Sequence, residues 1–108
     1  MSAHQRVVVA IAVAKSGQAS TLFARLEDVA RMSWSEPGVV TYAVHDVLDQ
    51  PGTFMMVEVY SSDQAFHDHL ATDHVRALIT DLPDLIEGEL LVHHGRAVAS
   101  LSGIKAVL

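Results

Sequence analysis

Hydrophobic positions along the chain switch between two periods, and each switch marks the edge of an element. Val7-Val-Val-Ala-Ile-Ala-Val-Ala14 is an unbroken, mostly β-branched apolar run, which predicts a strand covered on both faces. Lys15-Ser-Gly17 is a turn. From Gln18 onward, Leu22, Phe23, Leu26, Val29, Ala30 and Ser33-Trp34 recur at three-and-four spacing, the pattern of an amphipathic helix. Pro37 and Gly38 stop that helix, because proline disfavours helical geometry in the residue before it and glycine accepts positive φ. Val39–Val47 returns to alternation as a second strand. It puts Val40, Tyr42 and Val44 on one face and Thr41, Ala43 and His45 on the other.

Asp49-Gln-Pro-Gly52 is a turn by composition. Thr53–Tyr60 follows as a third strand, the antiparallel hairpin partner of the second. Phe54, Met56, Glu58 and Tyr60 share one of its faces, and Met55, Val57 and Val59 share the other. Ser61-Ser-Asp-Gln64 reads as a capping box, a serine hydroxyl with glutamine three residues on, and opens a second helix. That helix runs to about Leu82, where Pro83 ends it or starts a further short turn. Glu89–His94 predicts a fourth strand. The tail Gly95–Leu108 carries Leu101, Ile104, Val107 and Leu108, apolar positions suited to packing on a partner subunit.

The order β-α-β-β-α-β defines an α+β, ferredoxin-like split βαβ unit: an antiparallel sheet with two helices on one face. The chain is expected to be one domain over residues 1–108, with its core at about 7–94. Both helices on one face leave the other face apolar and bare. Two such sheets packed face to face bury it, so a homodimer is expected.

Composition sharpens this picture. At 108 residues the chain buries only about two-thirds of its unfolded surface. Yet half its residues are hydrophobic, which again points to a partner subunit. A net charge of −6 lacks the clustered Lys and Arg of a nucleic-acid footprint. The apolar run at Val7–Ala14 is too short for a membrane span and lacks the flanks of a signal peptide. The absence of cysteine removes disulfides, thiolate catalysis and sulfur-based zinc sites, and it fits a cytoplasmic protein. The glycines are scattered singly through turns, with no phosphate- or dinucleotide-binding motif, so no flavin or nicotinamide cofactor is expected.

Glu58 leads the candidates for chemistry. A carboxylate in mid-strand among Phe54, Met56 and Tyr60 is desolvated, which raises its pKa toward the range of a general base. The alternative is an ion pair with Arg6, Arg25 or Arg76. His69 and His74 come next, since imidazole titrates near neutrality. On an unbroken helix they would diverge; a break near Thr72 would bring both to one cleft. Trp34 could stack on a flat substrate or plug the core. Tyr42 and Tyr60 could bond a substrate oxygen or simply fill space, and Arg76 could steady an anion or lie on a solvated face. With Phe54 and Met56 these form the candidate substrate-binding set. Seven histidines invite a metal reading. His67 and His69 face apart on a helix, His93 and His94 face apart on a strand, and no spacing fits zinc, so no metal site is expected.

Two segments, Glu36-Pro-Gly-Val-Val-Thr-Tyr42 and Phe66-His-Asp-His69-Leu-Ala-Thr-Asp-His74, resemble the antibiotic-biosynthesis monooxygenase family. Its members carry a Glu-Pro-Gly turn before the second strand and a His-x-x-Thr-x-His run on the second helix. The resemblance covers about Val7–Val92 and implies a dimeric α+β barrel, with Glu58, His69 and His74 as site residues. Haem-degrading members place a tryptophan where this chain has His69, and a histidine where it has Ile79, so the resemblance does not extend to haem. It implies a cofactor-independent monooxygenase that deprotonates a small quinol, phenolic or polyketide-like aromatic and lets the anion reduce dioxygen. Two alternatives stay open: an isomerase of a small hydroxy-ketone, and a non-catalytic dimer that binds an aromatic ligand.

Overall fold

The computed structural model describes residues 4–98 together with 100, 101, 103, 105 and 108. Its elements run β1 (Arg6–Val13), α1 (Ala19–Ser33), β2 (Val39–Asp46), β3 (Thr53–Tyr60), α2 (Asp63–Leu70), α3 (Asp73–Leu85) and β4 (Leu91–Gly95). The strands form one antiparallel sheet in the order β2-β3-β1-β4. This is the α+β ferredoxin-like arrangement expected from the alternation of periods.

Alternation along β1 decides which face meets the helices. Val8, Ala10 and Ala12 are buried, whereas Val7, Val9 and Ile11 are only half-buried. Register carries the same division across the sheet. Tyr42, Glu58 and Val8 form one transverse row on the helix side, with Val44, Met56 and Ala10 in the next. Leu22, Leu26, Val29 and Ala30 of α1 and Val75, Leu78, Leu82 and Leu85 of α3 close over this face. Each large apolar side chain so buried contributes about 1.5–3 kcal/mol, which outweighs local propensities in several places.

Pro83 shows this. It lies inside α3 rather than ending it, and the helix continues to Leu85. An interior proline costs about 3 kcal/mol through a lost hydrogen bond and a ring clash. Burial of Leu82 and Leu85 on either side offsets that cost.

Other local expectations shift by a residue or two. The helix cap is Ser62, whose hydroxyl accepts the Ala65 N–H at 3.0 Å. Gln64 makes no reciprocal cap and instead donates to Asp68 at 2.9 Å. Val40 does not share a face with Tyr42 and Val44, because the β2–β3 register slips between Val39 and Thr41 and leaves Val40 half-exposed. The fourth strand begins at Leu91, not Glu89.

Gly38 is needed for closeness rather than for positive φ. A Cβ there would stand 2.4 Å from the Ala65 Cβ, so only glycine lets the first turn of α2 approach β2. Of the tail positions, Leu101 and Leu108 are exposed, while Ile104 and Val107 lie outside the described residues.

Candidate functional site

A short break between α2 and α3 builds the site. Thr72 takes extended backbone angles, and its hydroxyl donates to the His69 carbonyl at 2.7 Å, closing α2 just before α3 begins. The chain turns there, and His69 and His74 end on the same side. They meet Glu36, which sits in the turn between α1 and β2, with its own N–H bonded to Ser33 and its carbonyl to Val39.

Glu36 bridges the two rings. Its Oε2 lies 3.1 Å from His69 Nδ1 and 2.8 Å from His74 Nε2. His69 is enclosed, with its ring 5.6 Å from Tyr42 and 5.0 Å from Tyr60. His74 is the outer member. It lines a groove of about 380 Å³ between α1 and α3, together with Val29, Met32 and Ala77 and the acidic Asp28 and Asp73.

A second pair lies beneath. Glu58 is 6% exposed and accepts a short hydrogen bond from the Tyr60 hydroxyl. The arginines considered as its partners are placed elsewhere: Arg6 reaches Asp63, Arg25 pairs with Asp81 at 2.6 Å, and Arg76 is exposed on α3. Left without a cation, the Glu58 carboxyl is pushed up by burial to about 7, with the Tyr60 bond acting in the opposite sense. Burial, reinforced by the Glu58 and Glu36 charges, holds the Tyr42 phenol far above its usual range. Burial and the adjoining Glu58 do the same for Tyr60. Both phenols therefore remain donors at neutral pH. Burial lowers the His69 pKa, partly opposed by its bond to Glu36.

The structure thus gathers Tyr42, Glu58, Tyr60, His69 and His74. Met56 lies one row further along the sheet, in the core. Phe54 lies at the far end of β3, 5.8 Å from the Phe23 ring. Trp34 does not plug the core: it is 60% exposed, and its indole N–H donates to the Tyr42 carbonyl at 2.8 Å. That bond satisfies an acceptor on the sheet's edge strand. Arg76 stays outside the group.

Glu36 is the residue that sequence reasoning missed. Its signal was present, since the Glu-Pro-Gly turn had been singled out, but the acid was read only as part of a turn. The spacing argument about metals weighed residues close in sequence, and Glu36 comes from 33 positions before His69. Among the described residues, one ligand atom from each of Glu36, His69 and His74 falls within 4.8 Å of the other two.

A ferredoxin-like sheet with histidines and carboxylates gathered between sheet and helices defines a small α+β protein with a polar site on the helix side of its sheet. The chain belongs to the antibiotic biosynthesis monooxygenase family, whose model matches residues 5–81. No curated protein matches it. Among solved structures, it is 26% identical to a candidate antibiotic biosynthesis monooxygenase from Deinococcus radiodurans, covering 92% of this chain and 98% of that one at a TM-score of 0.81. The protein SO0527 from Shewanella oneidensis is also 26% identical, with 86% and 92% covered and a TM-score of 0.79. Rv0793 from Mycobacterium tuberculosis, at 20% identity, shares the fold over 91% and 99% at a TM-score of 0.84.

Proposed function

We propose that this chain is a homodimeric monooxygenase that oxidises a small quinol, phenolic or polyketide-like aromatic with dioxygen and without a cofactor. The observation that carries this reading is Glu58, a buried carboxyl titrating near 7 beside two phenols that stay protonated. A general base works best when its pKa lies near the working pH. In this reading Glu58 takes the substrate proton and Tyr42 and Tyr60 donate to substrate oxygens, Tyr60 after giving up its bond to Glu58. His69 and His74, oriented by Glu36, complete the base set, and His74 is the member that lines a groove open to solvent. The resulting anion transfers electrons to dioxygen. One oxygen atom enters the ring through a peroxide, and the other leaves as water when the carbonyl forms.

The helix-free face of the sheet supports the dimer. Val7, Val9, Ile11, Met55 and Val57 are half-buried there, and Leu91 is exposed. Apposing two such faces removes this apolar surface from water. No helix among the described residues is long and apolar enough to cross a membrane. The lack of cysteine fits the reducing cytoplasm, where we place the protein.

The test is oxygen uptake by purified, metal-free protein against a panel of quinols and naphthols. Uptake above autoxidation is expected, falling by roughly 10²-fold or more in His69→Gln or His74→Gln with ligand affinity little changed. No uptake above autoxidation removes the reading for those substrates. Solvent deuterium entering a hydroxy-ketone without oxygen uptake would instead establish an isomerase.

A further inference from the structure

We propose that Glu36, His69 and His74 form a binding site for one divalent transition-metal cation of the Zn²⁺ or Fe²⁺ type, with a coordination position left open toward the groove between α1 and α3. Two imidazole nitrogens and a carboxylate oxygen converge there from the α1–β2 turn, α2 and α3. A cation about 2.0–2.2 Å from each ligand requires neighbouring ligand atoms roughly 2.8–3.1 Å apart in an octahedral arrangement and roughly 3.3–3.6 Å apart in a tetrahedral one. Glu36 Oε2 already stands 3.1 Å from His69 Nδ1 and 2.8 Å from His74 Nε2. These two spacings suit an octahedral ion nearly as they stand, and the third, between the two histidine nitrogens, lies within 4.8 Å and must close to the same range as the ion enters.

The ligands are also held in advance. His69 is buried against the rings of Tyr42 and Tyr60, and Thr72 bonds its carbonyl. Little side-chain freedom remains to be lost on binding. Two nitrogens and one oxygen suit borderline cations, whereas Mg²⁺ and Ca²⁺ require oxygen donors throughout. Three protein ligands leave room for water or another oxygen donor, and His74 is the ligand that reaches the groove.

Binding and the present hydrogen bonds exclude each other. Each imidazole N–H now facing Glu36 must move its proton to the other ring nitrogen or release it before that nitrogen can ligate. A seated cation thus removes both histidines as bases and leaves Glu58 free. The inference goes beyond the oxygenase reading and does not rest on it.

The experiment is Co²⁺ and Zn²⁺ titration of the full chain, followed by equilibrium dialysis and by the visible absorption of Co²⁺. One equivalent per chain is expected. Binding should weaken by more than about 100-fold in Glu36→Gln and in His74→Gln, beyond the 10- to 100-fold typical of residues outside the ligand set. The double variant His93→Gln/His94→Gln should bind as the parent does. Failure of the parent to retain either cation at high micromolar concentration overturns the proposal, and needs no variant to fold. Binding that is unchanged in Glu36→Gln and His74→Gln, or lost in the His93/His94 control, overturns it equally. None of these readouts depends on turnover, so they separate this site from the oxygenase reading.

Discussion

Replacing Glu58 with glutamine should make the protein more stable at pH 8 and leave it unchanged at pH 4. The carboxyl titrates at about 7 in the folded chain against an ordinary value of 4.5. Below pH 4.5 it is protonated whether the chain is folded or not, and contributes no difference. Between pH 4.5 and 7 the unfolded chain has released the proton while the folded chain retains it, so raising the pH favours unfolding. Above pH 7 both states are ionised and the cost of a buried charge is fully present. At about 1.4 kcal/mol per pH unit, the gap corresponds to about 3 kcal/mol. Glutamine is neutral throughout, and its carbonyl oxygen can still accept the Tyr60 hydroxyl. His69 tilts the profile of both proteins the other way: its folded pKa lies below 6.5, so it loses stability as pH falls from that value. Subtracting the two profiles removes its contribution. Urea unfolding followed by far-ultraviolet circular dichroism, at one fixed protein concentration, should show the glutamine variant gaining about 3 kcal/mol between pH 4 and 8. In melting temperature that is roughly 10 °C or more for a domain of this size. A difference that stays flat across this window, or a variant less stable at pH 8, would refute the account of Glu58 as a buried carboxyl without a cation.

Three further outcomes follow from local packing. Gly38→Ala should cost about 1–3 kcal/mol in urea unfolding, because the new methyl meets Ala65 at 2.4 Å and must push α2 away; unchanged stability would show that α2 yields freely. Trp34→Phe should lower stability by about 1 kcal/mol through the unpaired Tyr42 carbonyl, and an unchanged unfolding midpoint would mean that water replaces the indole without loss. Light scattering should report twice the chain's mass for the parent and a monomer for Ile11→Glu, which places a charge on the helix-free sheet face; a parent that runs as a clean monomer defeats the sheet-to-sheet dimer.

Period alone was enough to read the architecture. β1 and β3 fall within a residue of their expected ends, and α1 begins one residue after Gln18, because periods of two and of three-to-four are direct consequences of strand and helix geometry. The break near Thr72 was also legible in prospect, since only a break could bring His69 and His74 together. Local chemistry was read less well. Pro83 was expected to end the helix or start a further short turn, yet buried leucines carry the helix past it, and Gly38 was assigned a backbone angle when its role is to make room for Ala65. In both cases a neighbour distant in sequence outweighed a local preference. The same reason hid the centre of the site. Glu36 belongs to His69 and His74 only because the turn after α1 and the break between α2 and α3 lie side by side in space. Two of the cation partners considered for Glu58, Arg6 and Arg25, were likewise drawn to Asp63 and Asp81 by packing that no spacing along the chain encodes. Periodicity is a property of consecutive residues and can be read from them; convergence of side chains from three separate segments exists only once the chain has folded.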